Sequence, residues 1–154
     1  VETSLGTILI AATDKGLCRL AFGERPQDLA ERFPHAEIAP GGAQFAGLCE
    51  QVADAVEHSG RATSLALDVE GTAFQQAVWA RLHAIPPGET RSYGEIAAEL
   101  GKPGASRAVG QANAANPVAV IPPCHRVVAA DGSLGGYAWG ENIKRELLRR
   151  EARS

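Results

Sequence analysis

The segment IPPCHRVV, residues 121–128, sets Cys124 directly before His125, with two prolines ahead and Arg126 behind. Thiolate is the nucleophilic form of cysteine, and a free thiol with a pKa of about 8.5 needs a base or a positive field to reach it near neutral pH. Adjacent side chains of an extended segment point apart, so His125 is expected to take the proton through one bridging water. The imidazole then needs an acceptor on its other nitrogen to fix the tautomer and stabilise the imidazolium. Glu141, Glu146 and Glu151 near the C-terminus are candidates. Two other readings stand beside this one. A cysteine and a histidine can ligate a metal, but no histidine lies three or four residues from a cysteine, so a metal site is not expected. The third reading is a buried, inert thiol, which suits Cys18 and Cys49, set in hairpin and helix patterns. For Cys124 the residues alone leave nucleophile and inert thiol open.

These side chains must be positioned by a chain of 154 residues, which is one ordinary domain or two small lobes. Hydrophobic content of 45% and charged content of 21% are those of a globular protein, and no run approaches the roughly 18 apolar residues of a membrane helix. No secretory signature stands at the N-terminus. Three scattered cysteines make no disulfide framework, so a reducing compartment is expected. Charge is uneven. Residues 1–70 hold 5 Lys and Arg against 11 Asp and Glu, a net of −6, whereas residues 71–154 hold 10 against 7, a net of +3. A polyanion is therefore expected to meet the C-terminal part.

Two β-prone runs, Thr7–Ala12 and Leu17–Phe22, flank the turn signal Asp14-Lys15-Gly16 and predict a hairpin. Pro26 is expected to open a short helix carrying Leu29 and Phe33, which Pro34 ends. The spacing of Phe45, Leu48, Val52 and Val56 predicts a helix packed on the hairpin and closed by Gly60. Leu65, Leu67 and Val69 alternate as in a half-buried strand. From Gly71 helix signals dominate. Thr72 with Gln75 and Ser92 with Glu95 have capping-box spacing, Phe74, Val78 and Leu82 share a face, and Pro86-Pro87-Gly88 is expected to stop the first of these helices. Ile96 and Leu100 face a core, and Gly101 stands where a C′ glycine ends a helix. A second short segment, SRAVGQANAAN, completes a helix-turn-helix pattern. The expected fold is α+β: a small N-terminal lobe, 1–70, with an antiparallel sheet and helices, and a mainly helical lobe, 71–154, with the helix-turn-helix.

The second helix of that pair is built from small residues. Ala105, Ser106, Ala108, Gly110 and Ala112 surround one long cation, Arg107. A major-groove reader presents several long polar side chains. Small residues instead suit close approach to a narrow surface such as a minor groove, with Arg107 as a probe. The plainer alternative is tight packing on another helix with Arg107 in a surface ion pair.

In order and spacing, the segments GTAFQQAVWARLHAIPPGETRSYGEIAAELGKP, SRAV, AANP, PCHRVV, DGSLGGYAWG and KRELLRREA resemble the O6-alkylguanine-DNA alkyltransferase family. Within it the likeness is nearest to the C-terminal domain of bacterial adaptive-response proteins. The strong part covers residues 71–152, and SLGTILIAATDKGL adds a weaker N-terminal likeness. The resemblance implies irreversible, single-turnover transfer of an alkyl group from O6 of guanine, or O4 of thymine, to Cys124. His125 would be the water-linked base and Glu151 its carboxylate partner. Arg107 would fill the gap left by a flipped nucleotide, with Ala105, Ser106, Ala108 and Gly110 pressed into the minor groove. Tyr93 would contact DNA and protonate the leaving guanine, and Asn116 would be the hinge between helix-turn-helix and active-site turn. Val127, Tyr137, Ala138 and Trp139 would wall the guanine pocket. The implied partner is double-stranded DNA carrying O6-alkylguanine. The implied protein is a monomer, bacterial and cytoplasmic, needing no cofactor and no membrane. Zinc in some members needs N-terminal ligands, and Thr13 stands where one would be, so none is expected.

The chain departs from the family pattern at Pro122, where a branched aliphatic residue is usual, and at Trp139, where some members carry glycine and an indole would narrow the pocket. Three rivals remain. A non-catalytic lesion sensor of the same family would lack the cysteine. A Cys-His hydrolase would turn over repeatedly and need an oxyanion hole. A helix-turn-helix regulator would bind by sequence and have no need of Cys124.

Overall fold

The structure is a computed structural model and describes residues 1–61 and 65–152; the last two residues of the 71–154 lobe lie outside them. The chain opens with three strands, β1 (Glu2–Thr3), β2 (Gly6–Thr13) and β3 (Gly16–Phe22), in one antiparallel sheet ordered β1-β2-β3. The predicted hairpin is β2 and β3, registered with Ile8 opposite Phe22 and Ile10 opposite Leu20, and bulged between Ala11 and Ala12. At its turn Gly16 has φ +149°, and a Cβ there would lie 2.5 Å from the Ala66 carbonyl oxygen, so only glycine fits. The segment read as a strand at 65–69 contributes a single parallel bridge, Leu17 to Leu67. It is too short to be more: Leu17 N–H donates to Ala66 and Asp68 N–H donates to Leu17, and pairing stops there.

Helix α1 (Asp28–Arg32) is one turn shorter than its flanking prolines allow, and α2 (Ala43–Glu57) follows it. Val52 and Val56 of α2 are fully buried on the sheet, with Phe45 and Leu48 partly buried beside them. The helix ends at Glu57, with His58 as its C-cap, so Gly60 does not close it. Helix α3 (Ala73–His83) starts with the predicted capping box of Thr72 and Gln75. It ends before Pro86, at Ala84.

A two-residue strand, β4 (Arg91–Ser92), runs into α4 (Tyr93–Glu99), whose capping box is Ser92 with Glu95. Gly101, φ +75°, provides the left-handed exit from α4. Helix α5 (Ser106–Ala114) packs on both α4 and α3. A 3₁₀ turn, Cys124–Arg126, leads into β5 (Val127–Val128), which pairs in parallel with β4. Helix α6 (Glu141–Glu151) closes the chain.

Two clusters of buried side chains form the core. One joins Ile8, Ile10, Leu17, Leu20 and Phe22 of the sheet to Val52 and Val56, and also takes in Val118–Ile121 and Leu147 from far along the chain. The other gathers Val78, Trp79, Leu82, Ile96, Val109 and Val127 around Cys124. The run 118–121 is stitched to β3 by bonds from Leu20 N–H to Pro117 O (3.1 Å) and from Ala119 N–H to Leu20 O (2.8 Å). The stretch immediately before Cys124 is thereby anchored on the N-terminal sheet. No helix among the described residues is long and apolar enough to cross a membrane.

Candidate active site

Cys124 opens the 3₁₀ turn rather than lying in an extended run, and its N–H donates to the Pro122 carbonyl at 2.6 Å. Pro122 has no N–H to satisfy in this buried segment, and the 3₁₀ turn is closed by Arg126 N–H donating to Pro123 O at 2.9 Å and Val127 N–H donating to Cys124 O. The thiol is buried, 1% exposed. Burial pushes its pKa up; hydrogen bonding from the Asn116 side chain, the Val120 backbone and Tyr137, and the charge of Lys144, all pull it back down. Val120 has φ +68°, the one non-glycine residue with positive φ among those described. A β-branched residue holds that conformation only under constraint from its surroundings, and strain of this kind gathers at functional sites.

His125 is fully buried, and its Nε2 meets Glu151 Oε2 at 2.6 Å. Its Nδ1 is buried without a partner, the position from which a water-linked base would act. Burial lowers the pKa of His125, opposed by the Glu151 carboxylate. Glu151 is buried too, which pushes its carboxyl up, but hydrogen bonds from His125 and Arg126 outweigh this and bring it to about 2. Glu151 thus stays ionised. Of the three candidate carboxylates, Glu141 pairs with Arg145 and Glu146 with Arg149 and Arg150, on the outer side of α6. Arg126 donates to Glu151 Oε1 (2.7 Å), to Ile85 O (2.6 Å) and to Ser59 O (3.1 Å).

Asn116 is 2% exposed; its Nδ2 donates to Val118 O at 2.7 Å and its Oδ1 accepts from Val118 N–H at 3.2 Å, locking the bend between α5 and the segment that leads to Cys124. Tyr93, at the first position of α4, is half-buried, and burial raises its pKa, opposed by a hydrogen bond from the Gly136 backbone. It touches both neighbouring elements. A Cβ on Gly110 of α5 would lie 3.7 Å from its ring, and one on Gly135 would lie 2.8 Å from its hydroxyl. Tyr137 and Trp139 stack edge to face at 5.3 Å; Ala138 and Trp139 border a cavity of about 480 Å³ with Arg19, Phe22, Glu24, Arg32 and Asn116, which Cys124, Val127 and Tyr137 do not line. Val127 is buried on β5.

Arg107 is exposed on α5 and makes no ion pair among the described residues, so the plainer alternative of a surface pair does not hold. Ser106 is exposed, and Ala105, Ala108 and Gly110 are half-buried around it. Arg107 is thereby set apart from Cys124, on the outer side of the helix whose inner side covers the site.

Two buried polar side chains here escaped the sequence reading. Lys144 is wholly buried, and its Nζ donates to Val127 O (2.6 Å) and Gly136 O (3.1 Å), bridging β5 and the loop before α6. Burial lowers its pKa to about 8. Its spacing with Leu147 and Glu151, three and four residues, was the available signal, since all three share the inner face of α6. Asn113, four residues after Val109, lies on the inner face of α5. Among the described residues no three His, Cys, Asp or Glu side chains converge as a metal site requires; Thr13 donates instead to Asp68 at 2.6 Å.

The arrangement brings together a buried thiol, an adjacent imidazole with one nitrogen unpartnered, and an ionised carboxylate on the other nitrogen. Two family models match the chain: "6-O-methylguanine DNA methyltransferase, ribonuclease-like domain" over residues 1–78, and "6-O-methylguanine DNA methyltransferase, DNA binding domain" over residues 73–153. The bifunctional transcriptional activator/DNA repair enzyme Ada of Escherichia coli is 44% identical over 98% of the chain, which spans only 44% of that relative. The methylated-DNA–protein-cysteine methyltransferase of Mycobacterium bovis is 42% identical, covering 98% of the chain and 89% of the relative. Among solved structures, Mycobacterium tuberculosis OGT in complex with DNA superposes with a TM-score of 0.83 at 42% identity, covering 99% of this chain and 91% of that one.

Proposed function

Because this chain belongs to the 6-O-methylguanine DNA methyltransferase family, we propose that it repairs DNA by moving an alkyl group from O6 of guanine onto Cys124, once per molecule. O4 of thymine is a second acceptable alkyl donor in this reading. The observation that carries it is the buried Cys124 beside a His125 whose Nε2 is held by Glu151 at 2.6 Å while Nδ1 is left without a partner.

The step is an in-line displacement. The thiol proton passes through a water to Nδ1 of His125, and Glu151 stabilises the imidazolium. The thiolate attacks the alkyl carbon; the S–C bond forms as the C–O6 bond breaks, and the electron pair stays on the guanine. Tyr93 O–H supplies the proton the leaving base takes at N3. A thioether has no leaving group this site could activate, so the protein is consumed. A base inside a duplex cannot bring its O6 substituent to a buried sulfur, which requires extrusion of the nucleotide. Arg107 is the side chain for the vacated stack, on a helix whose small residues Ala105, Ser106, Ala108 and Gly110 admit close approach to a minor groove. Asn116 holds the bend between that helix and the nucleophile. Val127, Tyr137, Ala138 and Trp139 form the guanine walls, with the indole narrowing the space for bulky alkyl groups.

The test is intact-protein mass after mixing with a duplex containing O6-methylguanine, followed by peptide mapping. One added methyl on Cys124, stopping at one equivalent, is the expected result. Tight lesion binding without mass gain would instead identify a non-catalytic sensor.

A further inference from the structure

Asn113 is 5% exposed on the inner face of α5, and its Nδ2 donates to the backbone carbonyl of Cys124 at 3.2 Å. The orientation of the amide follows from chemistry, because a carbonyl can only accept. Its other end, Oδ1, is buried with no partner. A fold gains nothing from that atom: a buried acceptor without a donor costs free energy that an apolar side chain of the same shape would not. The tie runs between two functional parts. Six residues before Asn113 on α5 stands Arg107, and eleven residues after it stands the nucleophile. Asn116 bonds to Val118 and its side chain also reaches the Cys124 thiol, whereas Asn113 ties α5 to the Cys124 backbone carbonyl.

We propose that Asn113 is a positioning residue for the transfer reaction, its amide holding the Cys124 carbonyl so that the 3₁₀ turn presents the sulfur at one fixed angle, at the expense of fold stability. The inference rests on the transferase reading, and transfer by the unaltered protein in the same assay checks that reading separately. Displacement at carbon needs the nucleophile aligned with the breaking bond, so loss of the tie acts on the chemical step and not on binding.

Asn113→Leu keeps the shape and removes the donor, and the Cys124 carbonyl stays satisfied because it also accepts from Val127 N–H. Single-turnover transfer is expected to slow about tenfold, the rate equivalent of one net hydrogen bond, with melting temperature unchanged or higher and duplex affinity unchanged. Asn113→Asp adds a signature. Ionised, it has no donor for the carbonyl; protonated, it regains an O–H, and burial raises its pKa into the working range. Its rate relative to the unaltered protein is therefore expected to rise as pH falls from 8 to 6, while the Asn113→Leu ratio stays flat. If Asn113→Leu reacts at the unaltered rate, or if both variants lose melting temperature and duplex affinity in step with rate and the Asn113→Asp ratio stays flat, the proposal is overturned.

Discussion

At the scale of residues, the proposed relay depends on which form each group holds. Glu151 sits at about 2, below the ordinary glutamate value of about 4.3, so the folded chain holds its proton less tightly than the unfolded chain. Its contribution to stability is complete above about pH 4.3 and is lost as pH falls towards 2. Acid unfolding followed by circular dichroism should begin in that window, and Glu151→Gln should flatten the dependence. The same substitution removes the charge that stabilises protonated His125. The pH profile of Cys124 alkylation by a small electrophile should then shift to higher pH, and transfer at pH 7 should fall by about 100-fold or more, the usual contribution of a general base. An unmoved profile would disprove the relay. Cys124→Ala should bind lesion-bearing duplex undiminished and transfer nothing. The adjacency of Cys124 and His125 was legible at once, but the residues alone left a nucleophile and an inert thiol open, and the family pattern made the choice. The choice of Glu151 among three carboxylates was not legible from spacing: it depends on which face of α6 turns inward, and came from the family pattern.

At the scale of elements, two helix starts with the same chemistry have different consequences. Thr72 and Ser92 each form a capping box, so replacing either by alanine should cost about 1 kcal/mol in denaturant titration. Ser92 also precedes Tyr93, so Ser92→Ala should slow transfer where Thr72→Ala, at matched stability, does not. Equal rates in the two variants would detach Tyr93 from the chemistry. Lys144 ties β5 to the loop before α6. Lys144→Met should leave the buried Val127 carbonyl unsatisfied and cost about 1–3 kcal/mol, read from the same titration. Helix starts, the hairpin and the C′ glycine were legible because each depends on residues a few positions apart. The two-residue strands β4 and β5 were not: 36 residues separate Arg91 from Val127, and their bridge has no local signature. The water-linked reading treated Cys124 and His125 as neighbours in an extended segment, whereas bonds from Arg126 N–H to Pro123 O and from Val127 N–H to Cys124 O draw the chain into a 3₁₀ turn.

At the scale of the molecule, the cationic part is the one that carries Arg107. Duplex affinity should fall steeply with salt as phosphate contacts release counterions. Arg107→Ala should leave that slope unaltered, because a side chain that fills a vacated stack neutralises no phosphate. It should also slow repair in duplex more than reaction with free O6-alkylguanine base; equal losses would reject the role. The division expected near Gly71 rests on a change in texture, and sequence texture does not reveal that residues 118–121 complete the core of the N-terminal sheet. Arg126 reaches across the molecule in the same way, holding Ser59 and Ile85 by their carbonyls and Glu151 by its carboxylate. One carboxylate therefore joins the proposed proton path to the seam between distant parts of the chain. A library of variants screened only for survival of the fold, blind to DNA, would keep Glu151 nearly invariant, and the catalytic relay would pass through such a screen intact without having been selected.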